Sequence, residues 1–153
     1  MSKCVCPLGE SIGCLINVTA RATQNYLTRR LSERGLDITV EQFKVMMYLW
    51  RHTQPTQQEI ADFIGKDKTS ITRLLGGLEK RGLISRVQCP TDKRNNRVII
   101  TPLGSQLETP VREVVDQATY EIDQTFSQED LETTKRVLRQ LCGMIDMTMQ
   151  DMV

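Results

Sequence analysis

The stretch from Thr56 to Thr101 constrains the fold most, because it places two short amphipathic helical patterns directly before a hairpin pattern. Thr56 and Glu59 have the spacing of a capping box, in which each side chain satisfies a backbone N–H at the start of a helix. Gly65 then offers a residue that tolerates the left-handed conformation common at helix ends. Between these signals the apolar stripe consists of Ile60, Phe63 and Ile64. The sequence therefore predicts a short helix that ends at a tight turn.

A second helix is predicted directly after that turn, with Asp67 as its N-cap. Its apolar residues recur every three or four positions, which is typical of a helix with one buried face. They are Ile71, Leu74, Leu75 and Leu78. The opposite face carries Thr69, Thr72, Arg73, Gly76 and Lys80. Two helices joined by a tight turn, the second with a small, polar and basic outer face, form the helix-turn-helix layout.

The residues after the second helix predict a β-hairpin. Ile84–Cys89 and Arg97–Thr101 are rich in β-branched residues, and residues 90–96 between them are turn-forming and basic. A hairpin with a basic tip after such a helix is typical of a wing. The helix can enter a major groove while the wing reaches a neighbouring minor groove.

These residues resemble the MarR family of bacterial transcription regulators, through the strings TQQEIADFIGKDKTSITRLLGGLEKRGLISR and DKR…RVIITPLG. The resemblance extends from residue 38 to the C-terminal helices. It implies a winged helix-turn-helix lobe on double-stranded DNA, in which Asp92 braces the wing and Arg94 lies at its tip in the minor groove. The candidate DNA-binding residues are Lys68, Thr69, Ser70, Thr72, Arg73, Arg86, Asp92, Lys93, Arg94 and Arg97.

Charge is unevenly distributed although the whole chain carries a formal charge of only +1. Residues 66–97 contain nine basic and three acidic side chains, whereas residues from 102 onward contain four basic and ten acidic ones. This split favours a nucleic-acid face opposite an acidic body. The alternative is two solvated helical surfaces that differ in sign.

Helical patterns flank the central stretch on both sides. Residues 10–34 form one, and Thr39 with Gln42 has the capping-box spacing at the start of the next. After the hairpin, Pro102 fits the first position of a long helix to about residue 125, which Pro110 should bend. Ser127 opens a last helix.

The last helix carries a heptad-like apolar seam, which predicts assembly. Its members are Leu131, Thr134, Leu138, Leu141, Ile145, Thr148 and Met152. Packing against the first helix of the same chain is one interpretation. Packing against a second copy is favoured, because palindromic operators are read by two-fold dimers. The predicted dimer contacts are Ile12, Leu15, Leu138, Leu141 and Ile145.

We therefore predict a single domain over residues 1–153 that is mainly α with a small β-hairpin wing. Residues 39–101 are the winged helix-turn-helix DNA-binding lobe, and residues 10–35 and 102–152 are dimerisation helices. No apolar run is long enough to span a bilayer, and the N-terminus lacks the pattern of a signal peptide. Five cysteines at irregular spacing do not suggest a disulfide framework. We expect a cytoplasmic protein.

Catalytic, metal and cofactor chemistry is not expected. His52 is the only histidine and has no visible nucleophile partner, so we expect no enzyme. Cys4 and Cys6 lack the further ligands of a zinc site, and no cofactor is predicted.

An effector pocket is expected between the helical dimer layer and the DNA-binding lobe, lined by Cys14, Tyr26, Met46 and Trp50. The first helix also resembles the organic-hydroperoxide-sensing branch of the family, although its sensor cysteine aligns beside Cys14 rather than on it. Cys14 is therefore either a small buried hydrophobic residue or a redox sensor.

The predicted function is sequence-specific binding to a pseudo-palindromic operator as a homodimer, with repression by steric blockage of a promoter and release by a small-molecule effector. A thiol-based redox switch through Cys14, or a metal-sensing switch, is the first alternative. A winged-helix module for protein interaction, without salt-dependent DNA binding, is the second.

Overall fold

The computed structural model describes residues 10–88 and 96–144 as a mainly helical chain with one antiparallel hairpin. The helices are α1 (Ile12–Glu33), α2 (Val40–Arg51), α3 (Gln57–Ile64), α4 (Lys68–Lys80), α5 (Pro102–Gln106), α6 (Glu108–Asp123) and α7 (Gln128–Met144). The strands are β1 (Ile84–Gln88) and β2 (Asn96–Ile100), which lie between α4 and α5. The predicted fold class is confirmed.

Local capping signals place the helix starts where the sequence predicts them. Thr39 accepts from the Gln42 N–H at 3.1 Å, and the Gln42 side chain accepts from the Thr39 N–H at 3.2 Å. Thr56 and Glu59 form the same reciprocal pair. Gly65 ends α3 with φ of 68°, in the left-handed region where glycine has no steric penalty. Both predicted capping boxes are therefore present.

One core joins the helix-turn-helix, the hairpin and the neighbouring helices. Its fully buried side chains are Leu31, Val45, Met46, Ile60, Ile71, Leu75, Leu78, Val98 and Val111. Because α4 contributes three of them from one face, its opposite face is held outward by packing.

The hairpin is fastened to the start of the helix-turn-helix. Ile84 pairs with Ile100 at the base of the sheet, and Gln88 pairs with Asn96 at the last described rung. The Val98 N–H donates to the Pro55 carbonyl at 2.8 Å, directly before α3 begins. This bond joins β2 to the start of the first motif helix.

The predicted long helix from Pro102 is wrong, since two helices, α5 and α6, meet at Leu107. Pro110 explains the break, because it has no N–H for the Gln106 carbonyl and its ring crowds that carbonyl. Pro110 is instead accommodated in the first turn of α6, where no N–H is needed.

A close backbone approach fixes α5 against the hairpin. An added Cβ at Gly104 would lie 2.1 Å from the Leu83 carbonyl oxygen, so a larger residue does not fit there. The Trp50 indole N–H donates to the Gly104 carbonyl at 3.1 Å, and Thr101 caps α5. These contacts connect α2, the residue before β1 and α5.

Helices α1 and α7 are only partly covered within one chain. In α1 only Leu31 is buried, and in α7 no residue is buried among those described. The Tyr26 hydroxyl and the Arg30 guanidinium both bind Glu121, which ties α1 to α6. The remaining large exposed apolar side chains on α1, α6 and α7 include Ile12, Leu15, Val18, Tyr120, Ile122, Val137, Leu138 and Met144. The predicted seam residues Ile145, Thr148 and Met152 lie outside the described residues.

Candidate nucleic-acid interface

The outer face of α4 is the surface that the sequence predicted would contact DNA. Ile71, Leu75 and Leu78 have no exposed area, so the other side of this helix is fixed in the core. Lys68, Thr69, Thr72 and Arg73 are exposed together on the outer face, and Ser70 is half-buried beside them. We call the exposed four the reading face.

Several basic side chains near this surface already form ion pairs or hydrogen bonds within the protein. Lys66 lies 3.2 Å from a Glu41 carboxylate oxygen, and the Arg97 guanidinium donates to the Gln54 carbonyl at 2.9 Å. Lys68 and Arg73 differ, since neither has an ion-pair partner among the residues that the structure describes. The reading face therefore carries positive charge that is available to an anionic ligand.

Arg86 lies in β1 but is directed towards α4 rather than left free. Its Nη2 and Nε atoms lie 2.5 and 3.0 Å from Glu79 Oε2, and its backbone N–H donates to Glu79 Oε1. The hydrogen bond from Arg86 holds the pKa of Glu79 below its usual value. A DNA contact by Arg86, as predicted from the sequence, would require this pair to open. In this structure Arg86 instead holds β1 against α4.

Two of the three predicted hydroxyl contacts are committed to intramolecular bonds. Ser70 donates to Asp67 Oδ2 at 2.7 Å as part of the cap of α4. The cap also lowers the pKa of Asp67, chiefly through the Ser70 hydroxyl. Thr72 donates to the Lys68 carbonyl at 2.7 Å. Only Thr69, among the three, keeps its hydroxyl free of such bonds in the described part of the chain.

The tip of the predicted wing is not covered by the structure. Asp92, Lys93 and Arg94 lie outside the described residues. Arg97 pairs with Val87 next to the last described rung of the hairpin, and it also forms an isolated bridge with Thr56.

Sequence reasoning missed two residues that organise this surface. Gln57, the first residue of α3, donates from its side-chain amide to Thr72 Oγ1 at 2.7 Å. Glu79 pairs with Arg86, as described above. Both contacts join separate elements, so periodicity alone could not find them. A polar residue at the first position of the first motif helix was the only sequence signal.

The four predicted effector-pocket residues have different surroundings. Trp50 lines a cavity of about 330 Å³ at the junction of α2 and β2. Met46 is fully buried in the core and so does not line an open cavity in this chain. Tyr26 binds Glu121, which raises the pKa of the tyrosine through their hydrogen bond. Cys14 lies in the first turn of α1, where its N–H donates to Ser11.

Residues 10–88 and 96–144 show neither a metal-ligand cluster nor a membrane-spanning helix. No three His, Cys, Asp or Glu side chains converge there as metal ligands. No helix in those ranges has the length and apolarity to cross a membrane.

Known proteins resemble this chain in both sequence and fold. Residues 38–95 match the model of the MarR family. A cysteine-to-serine mutant of MarR from E. coli, solved with operator DNA, is 26% identical with a TM-score of 0.79, and the match covers 89% of this chain and 98% of that one. A DNA complex of MepR from S. aureus is 24% identical with a TM-score of 0.79, over 87% and 97% of the two chains.

The repressor CouR bound to a 23-mer DNA duplex shares the fold, with 20% identity, a TM-score of 0.80 and coverage of 88% and 94%. The matched residues contain the helix-turn-helix and the first wing strand described above. Residues 38–95 therefore match the MarR family, and the described chain shares the fold of solved MarR-family transcriptional regulators.

Proposed function

We propose that this protein binds double-stranded DNA as a homodimer and represses transcription by occupying a promoter. The observation that carries the proposal is the reading face, where Lys68 and Arg73 are exposed on a helix whose other side is buried, and where neither has an ion-pair partner in residues 10–88 and 96–144. Unpaired cations on a rigid helix suit the phosphate-rich major groove. Solved relatives of this fold, MarR, MepR and CouR, are bound to DNA in their structures.

The roles of individual residues follow from their chemistry. Arg73 can form a bidentate contact with guanine, whereas Lys68, at the first position of α4, suits a phosphate. Arg94 at the wing tip is proposed to enter the minor groove, where narrow A·T-rich DNA attracts arginine. The pairing of β2 with Pro55 supports this arrangement, because it couples the wing base to the motif.

The dimer is proposed to form through α1, α6 and α7. Their exposed apolar side chains, including Ile12, Leu15 and Leu138, lack cover in one chain. A second copy would bury them and place two reading faces on one side of the assembly, as a pseudo-palindromic operator requires.

An effector is proposed to act at the junction that Trp50 lines. The cavity there is lined by the end of α2 and by strand β2, and the Trp50 indole N–H donates a hydrogen bond to the Gly104 carbonyl in α5. A small molecule that binds one arrangement of these elements better than another would change the spacing of the two lobes, and so the DNA affinity. The redox alternative through Cys14 has less support, since no cationic or hydrogen-bonding partner of its thiol is found in the described part of the chain.

Salt-dependent binding to duplex DNA tests the proposal. Sequences bound by the purified protein are selected from random duplexes, and the affinity for the selected site is measured over a salt series. Lys68→Ala with Arg73→Ala should weaken binding and reduce the salt slope by about one unit for each lost phosphate contact.

Lys44→Ala is the matched control, because Lys44 pairs with Glu41 within α2, which belongs neither to the reading face nor to the helices of the proposed dimer. It should leave affinity and slope unchanged. Wild-type protein that selects no sequence and shows no salt-dependent binding would contradict the proposal and favour a protein-interaction module.

A further inference from the structure

The hydrogen bond between Gln57 and Thr72 fixes what the centre of the reading face can offer to a base. A threonine hydroxyl has one proton to donate and two lone pairs to accept with. In Thr72 the proton goes to the Lys68 carbonyl, and one lone pair accepts the Gln57 amide N–H, each at 2.7 Å. One lone pair and the methyl group remain for a ligand.

The orientation of the Gln57 amide follows from the same count of donors and acceptors at Thr72. Since the Thr72 proton is committed to Lys68, the hydroxyl can only accept from Gln57, so the amide nitrogen must face it. Gln57 is half-buried at the start of α3, and Thr72 is exposed in the second turn of α4. The bond therefore spans the two helices of the motif.

We propose that Gln57 is a positioning residue for base recognition, which holds Thr72 as a methyl-bearing acceptor that cannot donate. This inference rests on the proposed DNA binding. In the major groove an A·T pair offers the thymine methyl group beside the adenine N6 amino donor, whereas a G·C pair offers two guanine acceptors beside the cytosine N4 amino donor and no methyl group. Thr72 held in this state should therefore favour an A·T pair and disfavour guanine at the position it contacts.

Gln57 has this role without itself contacting a base. The Gln57 bond restrains the Thr72 rotamer in which the hydroxyl donates to the Lys68 carbonyl. Without that restraint, rotamers that turn the hydroxyl proton outward become accessible. A free donor can then be accepted by guanine O6 or N7, and the discrimination at that pair relaxes. The neighbouring Gln58 differs, since its amide donates to Asp62 within its own helix.

Two substitutions at Thr72 separate the methyl group from the hydroxyl. Thr72→Val keeps the branched shape and should retain the A·T preference in selection from random duplexes. Thr72→Ser removes only the methyl and should lose about fourfold of that preference at each half-site, the factor expected for one buried methyl group. Equal base preferences for the two variants would overturn the inference.

Substitution of the glutamine tests the positioning step. Gln57→Leu should select guanine more often at the same symmetric base pair. Its loss of preference for A·T should have the same sign as that of Thr72→Ser. Its thermal unfolding midpoint should stay near that of Gln58→Leu. Gln58→Leu should select the wild-type sequence. If Gln57→Leu weakens all sequences by one factor, Gln57 is only a structural or phosphate contact and the inference fails. If wild-type protein selects no sequence, the proposed function fails as well.

Discussion

At the level of single residues, the Arg86–Glu79 pair determines how the first wing strand lies against α4. Three hydrogen bonds from one arginine converge on one carboxylate seven residues earlier in the chain. The consequence is a fixed angle between the reading helix and the wing. We expect this pair to matter for DNA affinity through geometry and for stability through charge.

The stability of this pair should depend on pH. Because Arg86 lowers the folded-state pKa of Glu79 from its ordinary 4.5, the pair stabilises the fold above that value and loses its effect as the pH falls through the lowered pKa. Glu79→Gln should therefore reduce the free energy of unfolding by about 0.5–1 kcal/mol at neutral pH, since both side chains are partly exposed. Urea unfolding of wild type and variant at neutral and acidic pH measures the difference. A difference that grows in acid would contradict this account.

Gly104 is a second residue whose identity is dictated by its neighbours. A methyl group there would meet the Leu83 carbonyl at 2.1 Å, so Gly104→Ala should force backbone movement and cost about 1–3 kcal/mol. Gly143→Ala is the control, because a Cβ at that α7 position meets open space and alanine favours helix by up to about 1 kcal/mol. Thermal unfolding of both variants should show shifts of opposite sign. Equal shifts would mean that the close approach is easily relieved.

The sequence predicted single-residue roles where the partner is local. The capping pairs at Thr39 and Thr56 span three residues, so spacing alone specified them. The partners of Arg86 and Thr72 come from other elements and depend on how the helices pack. For that reason the sequence assigned Arg86 to DNA and did not single out Gln57.

At the level of elements, the helical period fixed the two faces of α4 correctly, since burial on one side leaves the other exposed. The helix after the wing was predicted too long because Pro110 was expected only to bend it. Pro110 removes a hydrogen bond and adds a clash, which together interrupt the helix at Leu107.

Replacing Gly76 on α4 should change the stability of the protein and its DNA affinity in opposite directions. A Cβ at Gly76 meets open space within the protein, so Gly76→Ala should raise helix stability by about 0.5–1 kcal/mol. The helical period places Gly76 with the outer face, so the added methyl should hinder close approach to DNA and weaken binding. Thermal unfolding and a DNA titration of the same variant check both parts. Unchanged affinity would place Gly76 away from the DNA.

The wing tip supplies a separate prediction. Arg94→Ala should weaken binding to the selected site and reduce the salt slope by about one unit, because a minor-groove cation is lost. The affinity for sites with A·T-rich flanks should fall most. Affinity and slope that match wild type would remove the wing from the proposed interface.

At the level of the whole molecule, the uncovered faces of α1, α6 and α7 explain why two copies are proposed. α7 carries a heptad-like apolar pattern, yet it has no buried residue among those described. The acidic C-terminal segment and the basic segment around α4 also separate along the chain, so the proposed dimer contacts do not compete with the DNA surface.

A charge placed on the seam should break the dimer. Leu141→Glu would bury an unpaired carboxylate in the proposed interface, which costs several kcal/mol (about 2–7 for polar groups, more for charges). We expect a monomer that is partly unfolded and binds the selected duplex weakly, because its second lobe no longer acts at high effective concentration. Gln140→Glu is the matched control, since it adds the same side chain next to the seam on an exposed position. A Leu141→Glu protein that stays dimeric would show that the seam packs within its own chain.

Sedimentation of the wild-type protein with its selected duplex tests directly whether one dimer binds one duplex. The free protein should sediment as a dimer at micromolar concentration, and one duplex should bind one dimer with an affinity that falls steeply as salt is raised. A monomer that leaves the duplex unbound at low salt would contradict the account.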